Sequence, residues 1–254
     1  MATPLNGSLI KAFEILDLFS EQQPQVTSAE VARALEMSHS TAHRFLTTLE
    51  EVGALVQVRR GVYGLGHHIA QLGRVAERTN PLARLVQPVI ARICGRLNES
   101  VMAGALTRDG VVCIATAIAP RPISVNIQVG RLLELHQSAQ GKLWLAHMDS
   151  AWTVADHAAR LSELDVTGKL NAEESQSLRR DITVALENGF ACNRGESEPD
   201  IGAVAVPVFD AEGALRLTLS AFGMASRFTE EHEAWIAEGL KVAARDVAEA
   251  IPGG

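Results

Sequence analysis

Residues 27–65 read TSAEVARALEMSHSTAHRFLTTLEEVGALVQVRRGVYGL. Thr27 and Glu30 have the spacing of a capping box, in which the hydroxyl takes the Glu30 amide and the carboxylate reaches back. The helix it starts buries Val31, Ala32 and Leu35. Met37-Ser38 make a turn, and Ser38 can cap a second helix over 38–50 that points Ala42, Phe45, Leu46 and Leu49 inward. Gly53 ends that helix. Residues 55–58 and 62–65 then form two short strands about the tip Arg59-Arg60-Gly61. Two capped short helices, a tight turn and a basic hairpin form the layout of a winged helix-turn-helix, an element shaped to fit a DNA major groove.

The second helix leaves Ser40, Thr41, His43, Arg44 and Thr47 on its outer face, where a helix pair buried in a core would not. Arg44 can make a bidentate pair to guanine, worth roughly 1–3 kcal/mol of discrimination; the structural alternative is a surface ion pair with Glu36. Ser40, Thr41 and His43 can reach phosphates or base edges. His39, near the helix start, adds to an amide-rich N-terminus that favours phosphate. Arg59 and Arg60 would enter the minor groove or clamp backbone, against the alternative of a solvated turn.

Working outward, 254 residues suit two domains, and 47% apolar residues suffice for real cores. A net charge of −7 argues against a non-specific coat for nucleic acid but allows a sequence reader with local positive charge. The first 75 residues are near neutral, with Lys11, Arg33, Arg44, Arg59, Arg60 and Arg74 against Glu14, Asp17, Glu21, Glu30, Glu36, Glu50 and Glu51. The acidic excess therefore sits in the remainder. Cys94, Cys113 and Cys192 are distant and form no CxxC pair, so neither a zinc ribbon nor a disulfide framework is supported, and free thiols in a reducing cytoplasm are expected. No apolar run reaches the ~18 residues of a membrane span, and no leader pattern precedes the first helix, so a soluble cytoplasmic protein with no membrane partner is expected.

Upstream, Leu9, Ile10, Phe13, Leu16 and Phe19 share a helical stripe with Ser8 as cap. Downstream, a helix over 67–78 carries Ile69, Leu72 and Ala76, and Asn80-Pro81 breaks it. The expected organisation is a winged helix-turn-helix domain over 1–66, a linker helix over 67–80 and a second domain over 81–254. The second domain opens with a helix whose stripe is Leu82, Leu85, Val86, Val89, Ile93 and Leu97. Strands about 100–106 and 111–118 flank the turn Arg108-Asp109-Gly110. Residues 124–129 alternate, with Val125, Ile127 and Val129 on one face. Helices follow at about 139–147, 151–161 and 172–187, the last capped by Asn171 and followed by Gly189. Strands near 190–193, 202–208 and 214–222 turn at 210–213, and Thr229 caps a final helix to about Ala250. Two strand groups with helices between them predict an α+β sheet with helices against one face.

The chain resembles the IclR family of transcriptional regulators over nearly its whole length. The resemblance is carried by AEVARALEMSHSTAHRFLTTLEEVGAL (29–55), GVYGLG (61–66), VGRLLELHQSAQGKLWLA (129–146), ENGFACNRGE (187–196) and AVAVPVFDAEGALRLTLSAFG (203–223). It implies an N-terminal winged helix, a linker helix and a C-terminal GAF/profilin-like α+β effector-binding domain. It also implies homodimers or homotetramers on partly palindromic operator DNA, with small organic acids, often aromatic or catabolic intermediates, as effectors. By resemblance Leu133, Ser138, Ala139, Gln140, Asn193, Ala203, Ser220 and Phe222 line the effector cavity, with Glu196 at its rim. Backbone amides at the start of the 139–147 helix suit a carboxylate. Gln140 stands where the family has a small residue, Phe222 where a small or hydroxyl residue is common, and Glu134 where proline is frequent. Those bulkier side chains argue against a two- or three-carbon keto acid. Ala203 and Ser220 also fit plain sheet packing, and Gln140 also fits a helix cap.

Other motifs fail on their own terms. Gly64-Leu-Gly66 lacks the third glycine of a dinucleotide loop, Gly141-Lys142 lacks the rest of a P-loop, and Ser197 is not in a nucleophile elbow. His67, His68 and His136 lack companions at metal spacing, and Cys192 reads as a small buried hydrophobe before a redox thiol. No catalytic residue, metal or cofactor is expected. The rival classes are an enzymatic second domain, for which no acid–base or nucleophile–base set is convincingly spaced, and an effector-free dimerisation module.

Overall fold

The computed structural model describes residues 5–20, 22–107, 110–147 and 170–251. The expected helix at 151–161 lies outside them. The chain divides into two compact units, Met1–Arg78 and Thr79–Gly254.

The first unit runs α1 (Gly7–Leu16), β1 (Gln25–Thr27), α2 (Ser28–Ala34), α3 (His39–Glu51), β2 (Leu55–Arg59), β3 (Val62–Leu65) and α4 (His67–Thr79). The capping box is present: Glu30 N donates to Thr27 Oγ1 at 3.3 Å, and Thr27 N donates to the Glu30 carboxylate at 2.7 Å. The Thr27 hydroxyl, which also donates to that carboxylate at 2.8 Å, and then the Thr27 amide hold the Glu30 carboxyl below its ordinary range. Ser38 Oγ accepts from Thr41 N at the start of α3. Val31, Ala32, Ala42, Leu46, Leu49, Ala54, Leu55 and Tyr63 form the core with Val26 and Ile15.

Two features depart from the sequence reading. Asn6, not Ser8, caps α1, accepting from Ser8 N and Leu9 N. Of the expected α1 stripe, Leu16 and Phe19 pack partly against the core and Leu9 and Phe13 are 62% and 66% exposed, while Ile15, which that stripe omits, is fully buried. The helix stops at Leu16 because the next amides, of Leu18 and Phe19, bond three residues back. A third strand, β1, was not anticipated. It pairs antiparallel with β3, giving the order β1-β3-β2. Three residues ending in the α2 cap carry too little periodicity to read as a strand.

The second unit runs α5 (Pro81–Leu97), β4 (Ser100–Leu106), β5 (Val111–Ala117), β6 (Leu132–Leu133), α6 (Ala139–Ala146), α7 (Ala172–Asn188), β7 (Ala191–Arg194), β8 (Ile201–Phe209), β9 (Leu215–Met224) and α8 (Glu230–Ala250). Asn80 caps α5 with Pro81 at its first position, and Thr229 caps α8. Asn171 and Glu174 make a second capping box on α7, which ends at Gly189 in the left-handed region. The strands form one antiparallel sheet in the order β6-β5-β4-β9-β8-β7.

Helices cover both faces of this sheet, not one. Val101, Ala103, Val204, Val206, Leu217, Leu219 and Ala221 pack with α5 and α8 residues such as Ile90, Ile93, Ile236 and Leu240. Met102, Ala203, Ala205 and Phe222, one residue out of phase, pack with α6 and α7 through Leu143, Trp144, Leu178 and Ile182. The period-two alternation of strands sets this up, and β4, β8 and β9 are buried on both faces along most of their length, which alternation alone does not report. Residues 124–129 form no strand; the short edge strand is β6, paired at Val111↔Leu133 and Val112↔Leu132.

Candidate DNA-reading surface and effector site

In the first unit α3 turns Ala42, Leu46 and Leu49 into the core, and helical spacing then fixes what faces out. His39, Ser40, His43, Arg44 and Thr47 are exposed. Thr41 is only half-buried, and its hydroxyl lies 2.8 Å from Ser38 Oγ, so its first task is the cap. Ser40 Oγ also lies 3.0 Å from Ser38 Oγ, and His43 Nδ1 is 3.4 Å from Thr47 Oγ1. Arg44 makes no ion pair with Glu36 or any other described residue. Its guanidinium is therefore uncommitted, as bidentate base recognition requires. The turn before α3 places Glu36 at φ 48°, in the left-handed region. Arg59 and Arg60 sit at the exposed tip between β2 and β3, beside an irregularity at Gln57/Arg59.

In the second unit the expected effector residues fall on the α6 side of the sheet. Asn193, Ala203 and Phe222 form one cross-strand row, through the pairs Asn193↔Ala203 and Ala203↔Phe222. Ser220 sits in the next row, between Ala205 and Met102. Leu133 on β6 and Ala139 at the start of α6 pack into the same cluster. Ser138 caps α6, its Oγ accepting from Gly141 N at 3.0 Å and donating to the Glu134 carbonyl at 2.7 Å. Gly141 is a steric necessity, since a Cβ there would lie 2.3 Å from the Leu135 carbonyl oxygen. Gln140 does not cap the helix. Its side chain is buried over Gly104, and neither amide atom has a hydrogen-bond partner among the described residues.

Asn193 and Glu196 do other work. Asn193 Oδ1 accepts from Gly195 N and Glu196 N at 2.9 and 3.0 Å, while its Nδ2 donates to Ser197 Oγ at 2.6 Å. Its polar atoms are spent bracing the loop after β7. Glu196 turns back to Lys142, whose Nζ lies 2.5 Å from Glu196 Oε1, 2.7 Å from Asp181 Oδ2 and 2.9 Å from the Cys192 carbonyl oxygen. Lys142 is 2% exposed and was not singled out from sequence. A signal existed: it is the one charged residue of AQGKLWLA, an otherwise uncharged helix, and a buried charge needs partners. The triad ties α6, α7 and the β7 loop together. Nearby, burial and the Glu233 carboxylate push the Cys192 thiol up to about 12, which keeps it protonated and unreactive.

A shallow groove lined by Leu170, Asn171, Ala172, Ser175, Gln176 and Arg179 lies along the start of α7 and contains none of the expected residues. No described helix is long and apolar enough to cross a membrane.

Comparison with known proteins joins the two units into one kind of molecule. The model of the IclR helix-turn-helix domain matches residues 8–59, and that of the bacterial transcriptional regulator IclR C-terminal domain matches residues 75–249. The HTH-type transcriptional regulator KipR of Bacillus subtilis is 24% identical over 248 residues, covering 97% of each chain. Among solved structures, an IclR-family transcriptional regulator from Brucella abortus superposes with a TM-score of 0.84 at 22% identity, covering 98% of this chain and 93% of that one. An IclR homolog from Microbacterium hydrocarbonoxydans, complexed with 4-hydroxybenzoate, matches with a TM-score of 0.70 at 23% identity, covering 96% and 98%. Family members are transcriptional regulators, not enzymes. With a helix-turn-helix head whose Arg44 is unpaired among the described residues and an α+β unit built around α6, this chain belongs to the IclR family of transcriptional regulators.

Proposed function

We propose that the chain reads a partly palindromic operator as a homodimer or homotetramer and responds to a small, aromatic organic acid, controlling an adjacent catabolic operon from the cytoplasm. The observation that carries the DNA half is the outer face of α3, where Arg44 has no partner among the described residues while every apolar residue of the helix is turned inward or half-buried. Arg44 reads base edges; His39, Ser40, His43 and Thr47 contact phosphates and neighbouring bases; Arg59 and Arg60 clamp the backbone or minor groove. Thr41 contributes chiefly through the cap.

The boundaries 1–66, 67–80 and 81–254 divide reader, linker and sensor. Leu9 and Phe13 on α1 and Leu72 on α4 are exposed apolar side chains, which supports dimerisation through these helices and hence a fixed half-site spacing. Effector binding beside α6 shifts the population of arrangements of the two heads, and so operator affinity. The first-turn amides of α6 take the carboxylate. Leu133, Ala139, Ala203, Ser220 and Phe222 surround the apolar body, and the 4-hydroxybenzoate held by a similar structure supports an aromatic one.

The test is a thermal-shift screen of small carboxylates followed by product analysis. Saturable stabilisation without turnover, together with a change in operator affinity, is expected. Turnover would favour an enzyme. Absence of binding by every carboxylate would favour an effector-free dimerisation module.

A further inference from the structure

We infer that Gln140, supported by Trp144 one turn further along α6, is the specificity-determining residue of the effector site, and that it selects aromatic carboxylates carrying a hydroxyl group. The inference rests on the sensor reading above and adds to it the chemistry of the second ligand group.

Gln140 is 1% exposed and Trp144 7% exposed. Among the described residues, neither amide atom of Gln140 nor Nε1 of Trp144 has a hydrogen-bond partner. Spacing of four residues sets the two side chains on one face of α6, one turn apart. Buried polar groups without partners are costly and uncommon, so two on one turn of a fully buried helix call for a missing partner. Gln140 is not left over from capping, because Ser138 does that work.

The position is also built. Gln140 Oε1 lies 2.3 Å from where a Cβ on Gly104 would be, so the amide can rest there only because residue 104 lacks a side chain. A glycine inside a strand marks a close approach of this kind, and the β4–β5 register shifts between Ala103 and Gly104.

The unpaired atoms define the ligand. Gln140 offers one acceptor and an amide donor, which a hydroxyl satisfies by donating and accepting at once. The Trp144 indole N–H needs an acceptor. No spare cation is offered by Lys142, since Cys192 O, Asp181 and Glu196 already occupy its ammonium. The carboxylate then falls to the amides at the α6 start. The apolar body meets Met102, Val111 and Phe222 on the same face of the sheet.

The experiment uses the full chain and titrates the three hydroxybenzoate isomers and their three methylbenzoate isosteres, by calorimetry, against wild type, Gln140→Met and Trp144→Phe. At least one hydroxybenzoate should bind about tenfold or more tighter than its methyl isostere. That ratio should collapse to about threefold or less in Gln140→Met and fall in Trp144→Phe, with the methyl isostere binding Gln140→Met no more weakly than wild type. Ligand-free Gln140→Met should melt no lower than wild type, because it removes two unpaired buried atoms without opening a cavity. Methyl isosteres that bind wild type as well as the hydroxybenzoates, or a ratio unchanged in Gln140→Met, would overturn this inference and leave the sensor reading standing. A lower melting point for ligand-free Gln140→Met would show that the amide already has its partner, and would also overturn it. Failure of every benzoate to bind would overturn this inference, and the sensor reading would fall with it only if the wider carboxylate screen also showed no binding.

Discussion

Replacing Lys142 by Met removes a buried ammonium and keeps most of its aliphatic stem. The Nζ of Lys142 has three acceptors: Glu196 Oε1 at 2.5 Å, Asp181 Oδ2 at 2.7 Å and the Cys192 carbonyl oxygen at 2.9 Å. Breaking a buried ion pair by removing one partner costs about 3–5 kcal/mol when the remaining charge is stranded. Here it is not stranded, since the Asp181 and Glu196 side chains are 38% and 39% exposed and recover water. What remains is mainly the Cys192 carbonyl losing its side-chain partner, about 1–3 kcal/mol, and the loss of the tie between α6, α7 and the β7 loop. The expected cost is therefore about 2–3 kcal/mol, or about 5–10 °C in melting temperature for a unit of this size.

Urea unfolding followed by tryptophan fluorescence isolates the effect, because Trp144, Trp152 and Trp235 all fall in the second unit. Asp181→Asn is the control. It leaves Glu196 and the Cys192 carbonyl on Lys142 and should cost less than about 1 kcal/mol. The reasoning is refuted if Lys142→Met costs less than about 1 kcal/mol, or if Asp181→Asn costs as much as Lys142→Met.

Four further outcomes are expected. Thr27→Ala should destabilise the first unit by about 1 kcal/mol, the usual worth of an N-cap, measured by circular dichroism on thermal unfolding. Because the folded-state pKa of Glu30 is lowered, its contribution is fully present above the ordinary glutamate pKa and is lost as pH falls through the lower folded value; Glu30→Gln should flatten that acid limb, and an unchanged limb would contradict the capping geometry. Glu36→Gly should stabilise the first unit by up to about 1 kcal/mol, because Glu36 holds φ 48° at a steric cost that glycine avoids; a loss of stability would mean the side chain contributes more than the backbone strain. Arg59→Ala should weaken binding to all DNA alike and lower the slope of affinity against salt by about one counterion, read by fluorescence anisotropy across a salt series.

The reading head was nearly all legible in the sequence because its signals are local. The Thr27–Glu30 box, Ser38 and Gly53 mark helix ends by short-range chemistry, and the outer face of α3 follows from the inner one. Errors came where burial depends on the rest of the fold. Nothing within residues 7–16 says that Ile15, and not Leu9 or Phe13, meets the core. The sheet of the second unit was legible strand by strand, but not its burial on both faces, since an apolar run does not say what covers it. The effector residues were legible by resemblance as a set of positions, yet their engagement was not. Asn193 is spent within its own loop, Glu196 on Lys142, and Gln140 is left unpaired above Gly104. Each depends on contacts 36 to 54 residues away in sequence, or on a turn whose geometry no periodicity reports.

The central claim is that α3 reads DNA sequence through Arg44. Its most direct test is the affinity of wild type and Arg44→Ala for the operator and for scrambled DNA of equal length at one salt concentration. The account predicts that Arg44→Ala loses about 1–3 kcal/mol of operator binding, with little change on scrambled DNA, so that the specificity ratio falls by about tenfold or more. An unchanged ratio would contradict it.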